Sequence, residues 1–161
     1  MDDLNKQIQA FLEKRDAERI SARLSIKFTQ VDKAEAARIL NTGGYSEVFS
    51  TAHLNEAGTG TPAEQAHQDA FTENISISGL KLTGDLRLVG GKALNEGAYL
   101  LVEIQVPDAP MPVHTLATVV WSDADNSDPV VFHAGLFFVG INKQDVMKVA
   151  RFLVLQRKAR P

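Results

Sequence analysis

Six short segments that read as strands follow one another late in the chain, at 71–77, 79–83, 85–89, 98–106, 113–121 and 130–139. Turn formers punctuate them at Gly90-Gly91, Glu96-Gly97, Pro107 to Pro112 and Asp123 to Pro129. Short strands at this spacing argue for an antiparallel barrel or sandwich and against a βαβ fold. An earlier stretch has the same two-residue period. Ile20, Ala22, Leu24, Ile26 and Phe28 share one face, with Ser21, Arg23, Ser25 and Lys27 on the other, which predicts a half-buried strand with a wet side.

Helical periodicity is confined to three places. Leu4, Ile8, Phe11 and Leu12 mark one face of a short N-terminal helix. Asp32 and Glu35 resemble a capping box that opens a short helix over 36–40. Asn142 and Asp145 open a final helix with Val146, Val149, Leu153 and Gln156 on one side and Phe152 and Leu155 nearby. Arg157, Lys158 and Arg160 at its end suit the negative pole of the helix dipole. The predicted organisation is a helical extension at 1–13 and one domain over 14–161, with a flexible surface insertion at about 31–70 that holds chain breakers at 41–44 and 58–62.

Composition limits the function. A net charge of −3 over 161 residues argues against a protein that grips long nucleic acid, though a few local arginines can still form a site for a small anion. The absence of cysteine excludes disulfides and thiolate metal sites. No apolar run is long enough to span a membrane, and the acidic N-terminus does not resemble a signal peptide, so a cytoplasmic protein is expected. His53, His67, His114 and His133 lack ligand spacing, and no metal site is expected. No catalytic elbow, phosphate loop or metalloprotease motif occurs, so the chain does not read as an enzyme. Trp121 reads as core or sheet packing rather than a stacking platform.

Two motifs carry the remaining chemistry. Lys14-Arg15-Asp16-Ala17-Glu18-Arg19 places two arginines four apart just before the first strand, and Arg19 with Arg23 repeats that spacing. Asn74-Ile75-Ser76-Ile77-Ser78-Gly79 follows on a later strand. There Ile75 and Ile77 share one parity, so Asn74, Ser76 and Ser78 are expected on the outer face. A phase slip at Gly79 then shifts the apolar positions to Leu80 and Leu82.

RxxxR, a strand, then [D/N]xSxxG resembles the ligand signature of PilZ domains. The segments Leu100 to Pro107, Thr118-Val119-Val120-Trp121 and Gly135 to Ile141 are similar to that family's later strands, and the closing helix also fits. The likeness spans residues 14 to 155, with the 31–70 insertion as its main departure. It implies a mainly β fold: an antiparallel PilZ-type β-barrel with a short N-terminal helix and a C-terminal helix. It also implies a cyclic di-GMP receptor with no other cofactor. The implied ligand-binding residues are Arg15, Arg19, Asn74, Ser76 and Gly79, with Lys14, Arg23 and Ser78 as auxiliaries. The arginine pair is Arg15/Arg19 or Arg19/Arg23.

The chemistry agrees with that likeness. An arginine fork matches guanine O6 and N7, pairs with phosphate and stacks on rings. Asn74 has an oxygen that accepts from the guanine N1 or N2 edge, Ser76 completes that contact, and Gly79 leaves room for the base. Ordering of the arginine segment is expected to move the N-terminal helix against the barrel and to signal to an unidentified protein partner, from a monomer or homodimer. By resemblance the output is control of motility, exopolysaccharide or virulence. The alternative is a PilZ-like interaction module that binds no nucleotide.

Overall fold

The alternation at 20–28 holds in the structure, a computed structural model describing residues 2–13, 20–45, 47–48, 68–85, 94–107, 109–124 and 131–159. Ile20, Leu24, Ile26 and Phe28 are buried and Ala22 packs against them, while Ser21, Arg23, Ser25 and Lys27 face outward. The stretch is interrupted into β1 (Ile20–Ser21) and β2 (Ser25–Val31), both lying along the same side of β3 (Gln68–Ile75). Between them the register gains one residue, from Ser21 opposite Asn74 to Ser25 opposite Phe71. The buried Thr72 hydroxyl fills the break, accepting from Leu24 N at 2.9 Å and donating to Ala22 O at 2.6 Å.

The other strands are β4 (Gly79–Asp85), β5 (Tyr99–Ile104), β6 (Val113–Ala124) and β7 (Val131–Ile141). All pairings are antiparallel, in the order β1-β3-β2-β5-β6-β7-β4, and a β3–β4 ladder closes six strands into the expected barrel. The segments predicted at 79–83 and 85–89 are one strand to Asp85, and 86–89 lie outside the described residues. Gly84 keeps β4 continuous over the barrel interior, since a Cβ there would lie 2.7 Å from the Phe132 ring.

Helices pack on the barrel. In α1 (Asp2–Glu13), Leu4 and Ile8 pack inward, and the helix lies against α3 (Lys143–Ala159). Val149, Ala150, Phe152, Leu153 and Val154 of α3 join the barrel core, a wider buried face than the predicted stripe. Asp145, near its start, accepts from His114 N at 3.0 Å and ties the helix to β6. Among the described residues no helix is long and apolar enough to cross a membrane.

The segment expected as an insertion starts with packed structure. Asp32 caps α2 (Lys33–Thr42) by accepting from Glu35 N at 2.7 Å, and Gly43 ends it in the left-handed region at φ 72°. Ala36 and Ile39 of this helix, with Tyr45, cover Leu101 and Leu116 on the outside of the barrel. Gly140 makes space for that cover, because a Cβ there would meet the Tyr45 hydroxyl at 2.3 Å. Residues 49–67 of the segment lie outside the described residues.

Thr72→Val removes a donor and an acceptor from a buried break while keeping shape. It should cost about 1–3 kcal/mol, read as a lower urea midpoint with unchanged m-value.

Candidate functional site

A second region of the barrel's outer surface, on β3, β4, β7 and β6, is built where the two-residue period slips. A bulge between Thr72 and Asn74 turns Glu73 outward beside Asn74, and one between Val119 and Trp121 turns Val120 and Trp121 outward together. Trp121 is therefore 40% exposed and not in the core. Its indole lies on Gly135, where a Cβ would sit 2.1 Å from Nε1. Of the core or sheet packing expected for Trp121, the structure has the second, packing across the sheet onto Gly135 with the ring part exposed.

The register sets out one row across the face. Asn74 is opposite Lys81, Lys81 is opposite Gly135, and Gly135 is opposite Trp121. Strand spacing puts the row at roughly 14 Å, and the indole reaches back over Gly135. A neighbouring row runs from Phe71 through Thr83 and His133 to Asp123. The Arg23 guanidinium sits 4.3 Å from the Phe71 ring centroid, a cation–π contact at the edge of this face. Between the rows the Glu73 carboxylate pairs with Lys81 Nζ at 2.6 Å and approaches His133 Nδ1 at 3.5 Å, while Thr83 Oγ1 is 3.0 Å from the same His133 nitrogen. The hydrogen bond from Lys81 holds the Glu73 carboxyl below its usual range, with burial opposing it and Thr83 adding to it.

The sequence-predicted residues divide into three groups. Asn74 and Arg23 reach the outer face. Ser76 and Gly79 do not: β3 ends at Ile75, and residues 76–79 form the turn that sets Ile75 opposite Leu80. Ser76 is fully buried (0%), its Oγ 3.1 Å from Ser78 Oγ and 3.3 Å from Gly79 O, while Ser76 N donates to Gly79 O at 2.8 Å. The expected outward serine is thus a turn-locking serine, because a hairpin turn needs a short polar side chain for its backbone groups. The space at Gly79 is taken by β7, since a Cβ would lie 2.1 Å from the Leu136 carbonyl oxygen. Ser78 is half-buried in the same turn. Lys14, Arg15 and Arg19 lie outside the described residues; the described chain enters the barrel at Ile20, opposite Ile75.

Sequence reasoning missed Lys81, Phe71, Gly135 and the orientation of Trp121. A glycine inside the mostly apolar strand run 130–139 was the available signal, since a strand glycine often marks a close approach.

A family model described as the PilZ domain matches residues 55–155, a span that holds Asn74 to Gly79 and Trp121 but begins after the arginines. Comparison with curated proteins finds no match. The fold is similar to that of the Bacillus subtilis inhibitor of motility MotI/DgrA (13% identity, TM-score 0.57), with 88% of this chain and 50% of that chain covered. Similarity also extends to the PilZ domain of YcgR from Escherichia coli, solved with c-di-GMP (14% identity, 89% and 92% covered, TM-score 0.49). Borreliella burgdorferi PlzA, solved in complex with c-di-GMP, is matched at 12% identity, TM-score 0.46, with 98% and 59% covered. The chain thus spans about half the length of MotI and under two thirds of PlzA.

Trp121 is the only tryptophan, so it reports on its own seat. Gly135→Ala should lift the indole, shift its fluorescence emission to the red and cost about 1–3 kcal/mol. An unchanged emission spectrum would contradict the packing described.

Proposed function

This chain belongs to the PilZ domain family, and from that premise we propose that it is a non-catalytic receptor for cyclic di-GMP. The ligand is an anion with two guanines, and it needs hydrogen-bonding edges, cationic forks and flat apolar surface. Asn74 offers a side-chain oxygen to the guanine N1 or N2 edge. The exposed Trp121 indole, seated on Gly135, offers a stacking platform. Arg23 lies at the other side of Asn74, over Phe71. Arg15 and Arg19, which precede the strand entering at Ile20, supply the forks for guanine O6/N7 and for phosphate.

The observation that carries this reading is convergence. Asn74, Arg23 and Trp121 come from three separate parts of the chain onto one outer face of the barrel, beside Ile20, the residue that follows the arginine segment. Ser76 and Gly79 then serve the site indirectly, by shaping the hairpin that presents Asn74. In this account ligand binding orders the Arg15–Arg19 segment. That segment links the barrel to α1, so ordering it shifts α1 on α3 and alters the surface offered to a protein partner in the cytoplasm.

A second reading draws on the same hairpin. Because Ser76 and Gly79 are fully used by the turn and by Leu136, part of the signature is explained without a ligand. On that reading the chain is an interaction module indifferent to nucleotide.

Titration calorimetry with cyclic di-GMP separates the two. The receptor should bind, and Arg19→Ala should weaken binding about 5- to 150-fold, the loss of one bidentate arginine contact. Trp121→Ala should weaken it over a similar range, about 1–3 kcal/mol for a stacked base. A folded sample that gives no heat at tens of micromolar protein rejects the receptor and favours the interaction module.

A further inference from the structure

The open face of the barrel carries its own anion. Glu73 owes its position to the β3 bulge, which sends two successive side chains, Glu73 and Asn74, to the same side. Its carboxylate spans two groups of the neighbouring strands, Lys81 Nζ at 2.6 Å on β4 and His133 Nδ1 at 3.5 Å on β7. Lys81 stands in the row between Asn74 and the Gly135 seat of Trp121, which are the two features argued above to hold a guanine. A phosphate attached to a nucleoside held there meets Lys81 as the central cation of the row.

Resting on the receptor reading, we infer that Lys81 is a phosphate contact and that Glu73 is a built-in competitor for it, setting the affinity of this face for an anionic ligand. Glu73 acts twice. It occupies the ammonium that the phosphate needs, and its own charge repels the phosphate. Binding replaces one carboxylate by another anion at Lys81, and the displaced Glu73 keeps its access to His133 and Thr83. Both partners of the pair are partly exposed, the Lys81 side chain 32% and the Glu73 side chain 39%, so exchange needs no rearrangement of the barrel. The face therefore keeps a neutral pair in place of an unpaired cation until an anion with further contacts arrives. This arrangement favours a ligand that also satisfies Asn74 and Trp121 over free phosphate, which gains only the exchange.

The test is calorimetric titration of the full chain with cyclic di-GMP for wild type, Glu73→Gln, Lys81→Gln and the double variant, each checked for an unchanged thermal melt. Glu73→Gln should tighten binding about two- to fivefold, the scale of one exposed ion pair. Lys81→Gln should weaken it, and the gain from Glu73→Gln should shrink in the Lys81→Gln background, because the competition acts through that ammonium. Inorganic phosphate should give no measurable heat with any variant over the same range. Wild-type binding that Glu73→Gln leaves unchanged or weakens overturns this inference and leaves the receptor reading standing. Silence of both wild type and Glu73→Gln toward cyclic di-GMP overturns the receptor reading itself.

Discussion

Barrel closure commits each strand to an inside and an outside, and the open face exists because two strands break that commitment at chosen places. Along β3 the sequence of burial runs Ala70 in, Phe71 out, Thr72 in, then Glu73 and Asn74 both out before Ile75 returns inside. Along β6 the same happens at Val120 and Trp121. Each bulge adds an outward side chain without losing an inward one. The core ladder of Ile75, Leu80, Leu82, Ala134 and Leu136 stays fully or nearly fully buried. The stability of the barrel and the chemistry of its outer face are in this way written into the same strands with little conflict.

Glycines on β7 divide the outside of the barrel. Gly140 accepts Tyr45 and Leu40 from the α2 side, and Gly135 accepts Trp121 from the neighbouring strand. In both places a larger aromatic lies where a Cβ would stand, yet the results differ. Tyr45 comes from outside the sheet and is only 6% exposed, sealing its region with Leu101 and Leu116 beneath it. Trp121 comes from the sheet itself, so nothing lies above it among the described residues and one face of the ring stays open. Phe71 and Phe137 remain outward on the same side, which leaves apolar surface of the kind a base or partner can cover.

The strand content, the antiparallel pairing and the capping box at Asp32 were legible in the chain because each depends on residues close in sequence. The alternation from Ile20 to Phe28 is correct residue by residue, even though the backbone breaks at Ala22 to Leu24. That break was not legible, since it depends on a hydroxyl fifty residues away at Thr72. The candidate site was half legible. Asn74 was placed on the right face, but the parity count carried through Ser76 failed because the strand had already ended in a turn. Ser-Ile-Ser-Gly supports either a strand or a hairpin turn by composition, and the choice is made by Leu136 approaching Gly79. Lys81 and the outward exposure of Trp121 were missed for a related reason: a bulge cannot be seen in one strand, only in its register against another.

The charge on the face carries one more consequence. An exposed lysine–glutamate pair contributes only about 0–1 kcal/mol to folding, so Glu73 and Lys81 are not explained by stability. The Glu73 carboxyl is held low chiefly by the hydrogen bond from Lys81. The small stabilisation from that lowering is fully present above the unfolded-chain value and is lost only as the pH falls through the lowered folded one. Near neutrality Glu73 stays ionised, and protons do not release the pair. An anion that binds Lys81 better than Glu73 does can then take its place without any change of protonation. Such an anion must bring contacts of its own, and the groups flanking Lys81 in its row are Asn74 on one side and the indole of Trp121, seated on Gly135, on the other.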